Sequence, residues 1–318
     1  MDCSSAVKHR LGGCDAVYND GMKTIELDDW LSDDHRSLLE AEVGSPLTFT
    51  RLPGVGGPGC YRVQGLSREA IFKYGLPERE SFFYREWAPR LQQADLAVPR
   101  LLAAGYEPTW ILLERLPTSL PPDRWQGDPE VLRYLATWHR LSQDWPGESV
   151  DGYGYTWNGQ VLNELMGFLD EGTLGQIAEI IAMQGDAWDI LCKPITWIHG
   201  DPNPTNWLLT ASGTPALIDW SRYGRAHPAI DLAISMPGLP PLDRCVEQAE
   251  HYLRFNPELS PNGEQLGRSI ALGKLWTLID FLGMAKRGEL SPDGNQGVKM
   301  LTERLGTWIN SVFLGPKS

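Results

Sequence analysis

Between His199 and Asn206 the chain reads His-Gly-Asp-Pro-Asn-Pro-Thr-Asn, and thirteen positions beyond Asn206 comes Asp219, inside Ile218-Asp219-Trp220. Three oxygen-bearing side chains at this spacing suit phosphoryl transfer from a nucleoside triphosphate. That reaction asks for little covalent work from a protein: a hydroxyl must be aligned, and a divalent metal must neutralise charge on the phosphates. One carboxylate has to face the hydroxyl, while an amide oxygen and a second carboxylate hold a hard magnesium ion, which takes oxygen ligands. Asp201, Asn206 and Asp219 can supply that set. Taken singly, each is more simply a turn cap in a proline-containing loop. Taken in order, they make a constellation.

These side chains need elements to hold them. ITWIHG (195–200), NWLLT (206–210) and PALIDW (215–220) read as short apolar strands separated by turn residues, an island of β character in a helical half of the chain. Helices are expected around it, over 129–143, 159–184, 240–256, 263–287 and 296–312. Upstream, LTFTRL (47–52), CYRVQG (60–65) and EAIFKY (69–74) alternate as strands, the first two joined by the loop PGVGGPG. Glu78 to Leu91 carries Phe82, Phe83, Trp87 and Leu91 at helical spacing, although Pro89 disturbs its last turn. VPRLLAAGY (98–106) and TWILLERL (109–116) complete a five-stranded sheet with one helix, and the proline-rich stretch PTSLPPDRWQGDP (117–129) reads as a linker. Residues 1–31 read as an irregular extension. Ser32 and Gly44 bracket a short helix over 33–43. The division expected is 1–46 extension, 47–116 small lobe, 117–129 hinge and 130–318 helical lobe.

The loop HGDxxxxN followed by IDW resembles the aminoglycoside phosphotransferase and choline kinase superfamily, whose metal-binding strand ends in IDW or IDF. Protein kinases use a related pattern, an Asp followed five positions later by Asn, with a DFG Asp on the next strand. The resemblance covers about residues 47–235. It implies an α+β, protein-kinase-like fold of two lobes, a small antiparallel five-stranded sheet with one helix and a larger, mainly helical lobe. It implies that Asp201 orients or deprotonates the acceptor hydroxyl, that Asn206 and Asp219 bind magnesium, and that His199 and Asp231, the latter in HPAIDLA, brace the catalytic loop.

Lys73 is the only lysine between Lys23 and Lys193. In kinases a lysine on the third strand binds the α- and β-phosphates and is held by a Glu of the next helix. RESFFYREWAPRL (79–91) resembles that helix and makes Glu80 the partner; Glu86 stays open, because seven positions is a short separation for the superfamily. In PGVGGPG (53–59), Gly54, Gly56, Gly57 and Gly59 would let backbone N–H groups approach phosphates, or simply turn a hairpin. WILLERLP (110–117) has the form of the strand entering a kinase hinge, where backbone near Glu114 and Leu116 would meet adenine; a plain buried strand is the alternative. LRYLATWHRL (132–141) resembles a family helix ending in a leucine-flanked His, and His139 is read as a core residue without chemistry. Ser221 stands where the family often has an acidic residue, and Pro204-Thr205-Asn206 replaces its HxGN. Neither change removes a ligand, and both leave the subfamily open.

The function so implied is ATP-dependent transfer of a phosphoryl group to a hydroxyl of a small molecule such as an aminoglycoside, amino alcohol or sugar. The alternatives are a nucleotide-binding pseudokinase or scaffold and, less well matched, a protein kinase, since only eleven residues separate Asp219 from Asp231. A formal net charge of −13 disfavours nucleic acid and anionic membrane as partners. It favours cationic small molecules, with Glu164, Asp170 and Glu171 as candidate contacts, or serves solubility alone. Five scattered cysteines fit a reducing cytoplasm, and no uncharged run reaches the roughly 18 residues that span a bilayer.

Overall fold

In the computed structural model, residues 31–52, 59–106, 109–145, 152–157, 159–288 and 292–315 are described. Residues 1–30 of the expected extension, and Gly54, Gly56 and Gly57 of the glycine-rich loop, lie outside them. Helix α1, Asp33–Val43, starts where the Ser32 hydroxyl accepts the His35 amide at 3.3 Å and stops at Gly44, whose φ of 87° suits glycine.

Strands β1 (Thr48–Arg51), β2 (Gly59–Gln64), β3 (Glu69–Tyr74), β4 (Leu101–Tyr106) and β5 (Thr109–Glu114) form one antiparallel sheet in the order β1-β2-β3-β5-β4. Alternation along β3 sends Ala70 and Phe72 into a small core with Phe49, Val63, Trp110 and Leu112. Lys73 therefore faces the other way, across from Cys60 on β2 and Ile111 on β5. Ile111 belongs to the second, larger core, so Lys73 sits on the sheet face that meets the rest of the molecule.

Helix α2 occupies that face. It runs as Glu78–Phe82, a π turn Phe83–Trp87 and a further α segment Ala88–Gln93. The π turn answers the expected trouble at Pro89. A proline has no N–H to donate in a continuous helix, and with the ladder reset at Ala88 it falls in the first turn of a new segment, where none is needed.

The segment 117–129, expected as a linker, is partly structured. β6 (Thr118–Ser119) pairs with β8 (Trp207–Leu209), which turns back on β9 (Pro215–Leu217). Asp128 then caps α3, Pro129–Leu141, by accepting the Glu130 and Val131 amides at 2.9 and 3.1 Å. The β island divides in two, for β7 (Thr196–Ile198) pairs with β10 (Gly224–Ala226), a strand the sequence pattern did not disclose. Three residues are too few to show alternation. The single helical stretch expected over 159–184 is also broken, into α4 (Gln160–Glu164) and α5 (Glu171–Met183). Gly167 at φ 76° interrupts it, and Asp170 restarts it by accepting the Thr173 amide and hydroxyl. Helices α6 (Gly185–Leu191), α7 (Ala229–Ile234), α8 (Leu242–Leu253), α9 (Gly263–Lys286) and α10 (Pro292–Ile309) complete the second lobe. No helix among the described residues is long and apolar enough to cross a membrane.

Candidate active site

Two lobes meet where Phe83 of α2 stacks on Trp220, ring centroids 3.8 Å apart and planes 12° from parallel. Trp220 follows Asp219 directly, so this contact fixes the entry of the Asp219 loop against the helix that carries Glu80. Lys73 closes the arrangement. Its ammonium donates to Glu80 on one side and to Asp219 Oδ1, 3.0 Å away, on the other. Glu80 is fully buried, whereas Glu86 is exposed on the opposite face of α2. Burial pushes the Glu80 carboxyl up and the Lys73 charge pulls it back; Lys73 itself is held above its ordinary value, the two carboxylates outweighing its burial. Asp219 is different in kind. Its side chain is 43 % exposed, burial is outweighed by Lys73, and its carboxyl stays below the usual range. It holds φ 62°, ψ 67°, left-handed backbone that Asp tolerates better than most residues and that turns its side chain back toward Lys73.

The catalytic-loop candidates are set by a separate network. Asp231, at the start of α7 and fully buried, accepts the His199 amide at 2.8 Å, the Gly200 amide at 2.8 Å and His139 Nε2 at 3.0 Å. Its oxygens are thus spent on two backbone amides and an imidazole. His199 is buried and driven down to about 4, principally by desolvation, so it is a neutral imidazole. Nε2 donates to the Ile218 carbonyl at 3.0 Å and Nδ1 accepts the Asp201 amide at 3.1 Å, which fixes the tautomer and ties the Asp201 strand end to the Asp219 strand. Gly200 has to be glycine. It lies at φ 82°, and a Cβ there would stand 1.7 Å from the Tyr155 hydroxyl and 2.4 Å from the Arg222 carbonyl.

Asp201 is half-buried, and burial pushes its carboxyl up to about 6. Asn203 Nδ2 donates to its Oδ1 at 2.9 Å, and Asn206 Nδ2 donates to its carbonyl at 2.8 Å and its Oδ2 at 3.3 Å. With its amide nitrogen so engaged, Asn206 keeps its carbonyl oxygen for another partner. The Asn206 oxygen and the exposed Asp219 carboxylate are hard oxygen donors, the kind a magnesium ion takes.

The structure brings Lys73, Glu80, Asp201, Asn206, Asp219, His199 and Asp231 to one junction of sheet, helix and loops. At the end of β5 the Glu114 amide is spent on the Arg100 carbonyl at 2.8 Å, while the Leu116 backbone makes no hydrogen bond to another described residue. Gly59 lies in β2 beside Tyr74; Gly56 and Gly57 are outside the described residues. Of the acidic candidates of the second lobe, Glu164 pairs with Arg287 at 3.1 Å, Asp170 caps α5, and Glu171 is exposed in the first turn of that helix. Two participants were missed. Asn203, given no role in the sequence reading, tethers Asp201. His139, read as core, joins Asp231 to the Tyr252 hydroxyl at 2.9 Å; its leucine-flanked place at the end of α3 was the available signal.

A family model described as the phosphotransferase enzyme family matches residues 60–261, well over half the chain. This chain belongs to the phosphotransferase enzyme family. The phosphotransferase has the two-lobed, kinase-like α+β fold. Similar solved structures include a choline kinase from Streptococcus pneumoniae, with TM-score 0.56 and 14% identity over 86% of this chain and 99% of that one. Another is a choline kinase from Cryptosporidium parvum, with TM-score 0.58 and 12% identity over 86% and 93%. A third is an aminoglycoside phosphotransferase in a ternary complex with ADP and hygromycin B, with TM-score 0.54 and 17% identity over 89% and 99%. No functionally curated protein matches the sequence significantly.

Proposed function

We infer that this phosphotransferase moves the γ-phosphoryl group of ATP, with Mg2+, to a hydroxyl of a small molecule. The observation that carries the reading is the convergence of Lys73 from the sheet on Asp219 from the second lobe, at 3.0 Å, beside a loop in which Asn203 and Asn206 both hold Asp201. Lys73 is oriented by Glu80 to meet the α- and β-phosphates, and backbone at Glu114 and Leu116 meets adenine. Asn206 and Asp219 would hold the magnesium ion, which when bound neutralises charge on the phosphates. Asp201 faces the acceptor. Its raised carboxyl lies close enough to neutrality to accept the hydroxyl proton as the oxygen attacks phosphorus, and its two amide tethers keep it aimed. His199 and Asp231 hold the loop without touching the reactants. On this reading residues 47–116 form the nucleotide-covering lobe, 117–129 the hinge and 130–318 the acceptor lobe, with 1–46 outside the catalytic core.

Melting curves with and without nucleotide test it. Mg2+ and ATP together should raise the Tm, and Asp201→Asn should keep that rise while transfer to any accepted hydroxyl falls about 10³-fold. An unmoved Tm at millimolar Mg-ATP would sink the proposal.

A further inference from the structure

The proposed reaction leaves the acceptor's chemistry open, and a cluster beside Asp201 bears on it. Tyr153 sits between two guanidinium groups, with the carbon of Arg222 4.8 Å from its ring centroid and that of Arg79 5.9 Å away. Its ring is also 5.0 Å from Tyr155, which in turn lies 5.8 Å from Trp276. The Tyr155 hydroxyl donates to the Arg222 carbonyl at 2.7 Å and stands 1.7 Å from where a Cβ on Gly200 would sit, so the cluster abuts the residue preceding Asp201. It therefore borders the Asp201 loop, with Arg79 next in the chain to Glu80 and Arg222 three residues beyond Asp219.

Its polar balance is one-sided. Arg222 Nη2 donates to Asp280 Oδ2 at 2.6 Å and to the Tyr153 hydroxyl at 3.3 Å, but Nη1 meets only the Met284 sulfur at 3.7 Å and buried Nε has no partner among the described residues. Arg79 Nε and Trp276 Nε1 are likewise buried without a partner there. Among the described residues Asp280 is the one carboxylate in ion-pair contact with this cluster, against two arginines. Three buried N–H donors lack acceptors, on side chains packed around one pair of tyrosines. Buried donors are ordinarily matched, and a ligand rich in acceptor oxygens would match these. Guanidinium groups recognise carboxylates through parallel N–H donors. A protonated amine would meet like charge and further donors instead. All this sits in a chain of net charge −13, where a local cationic excess runs against the general composition.

We propose that Arg222 and Arg79, with Tyr153 between them, form an anion-recognition site that selects a hydroxyl acceptor bearing a carboxylate. This rests on the phosphotransfer reading, and it replaces the cationic acceptor that net charge favoured. Arg222 is a specificity residue, held in place by Asp280 and the Tyr153 ring, which anchors the acid so that a neighbouring hydroxyl reaches Asp201.

A pool of small metabolites separated by ion exchange into anionic, neutral and cationic fractions, each offered to the full-length enzyme with Mg2+ and γ-labelled ATP, tests it. Label should transfer to hydroxy acids of the anionic fraction. Arg222→Gln should raise the KM for the labelled acid at least tenfold while leaving the Mg-ATP melting shift and the KM for ATP unchanged, and Arg222→Lys should restore part of the loss. Label confined to the cationic or neutral fraction, or absent from all three although Mg-ATP raises the Tm, overturns the proposal and leaves nucleotide binding standing. A rise in the KM for ATP instead of that for the acid in Arg222→Gln also overturns it, since the guanidinium would then serve the phosphates. Failure of Mg-ATP to move the wild-type Tm would instead remove the phosphotransfer reading on which it rests.

Discussion

Asp231 and Asp219 are both aspartates within the same short stretch of chain, and they are built to opposite ends. Asp231 is sealed in the core with its oxygens committed to two backbone amides and an imidazole. Asp219 is 43 % exposed, bonded through one oxygen to a lysine that belongs to the other lobe, and carried on left-handed backbone. Around Asp219 the polar groups are incompletely satisfied, Glu80 Oε2 being buried without a partner among the described residues. Saturation marks a fixture, and unfinished coordination marks a place where something is to be bound. The Phe83–Trp220 stack ties the Asp219 loop to α2 without spending a polar group.

The sharpest way to break this contrast is to remove each carboxylate. Asp231→Ala leaves the His199 and Gly200 amides and His139 facing a void, and losing a buried acceptor of this kind costs about 3–5 kcal/mol. A large fall in Tm, or loss of soluble protein, is the expected result of thermal denaturation. Asp219→Asn should do the reverse: transfer falls about 10²–10³-fold and the magnesium-dependent part of the ATP melting shift disappears, while the apoprotein Tm moves little because the side chain is partly in water. If Asp231→Ala melts like the wild type, or if Asp219→Asn keeps its magnesium response, the assignment of fixture and binding group fails.

Sequence carried the second kind of residue better than the first. Asp201, Asn206 and Asp219 lie close together in the chain, so their spacing alone suggested a shared task. Asp231 could be attached to them only through the family pattern, and its partner His139 lies 92 residues away on another helix. No local signal encodes such a contact. The sheet was readable because alternation persists over six residues in β2 and β3, which also aimed Lys73 away from Phe72. β10 has three residues and α4 five, lengths at which periodicity carries no information. The Arg79–Tyr153–Arg222 cluster draws on α2, an irregular segment and the turn after Asp219, so only the folded chain assembles it.

A smaller effect sharpens the contrast from the side of pH. Burial lifts Asp201 to about 6 from an ordinary 3.8. If it takes the hydroxyl proton it must be ionised, so kcat/KM should fall about tenfold per pH unit below pH 6. A profile flat from pH 7 down to 5 would remove Asp201 as the base.

The same shift has a sign for stability. Between about pH 4 and 6 folded Asp201 binds a proton that the unfolded chain releases, so this group's contribution to stability declines as pH rises through that window and stays unfavourable above it. Asp201→Asn removes the buried charge while its side-chain oxygen can still accept from Asn203. Because the carboxylate is only half-buried, the gain should be a fraction of the full linkage, about 1 kcal/mol above pH 7, seen as a Tm higher by about 2 °C and shrinking as pH drops below 5. The inactive variant should thus be the more stable protein, the pattern expected where a carboxylate is kept partly desolvated for reaction. Asp231→Asn should show no such gain, since there both carboxylate oxygens accept N–H groups and an amide NH2 would replace one of those acceptors. Equal stabilisation, or equal loss, in both asparagine variants would mean that the two aspartates do not differ in the way their hydrogen bonds suggest.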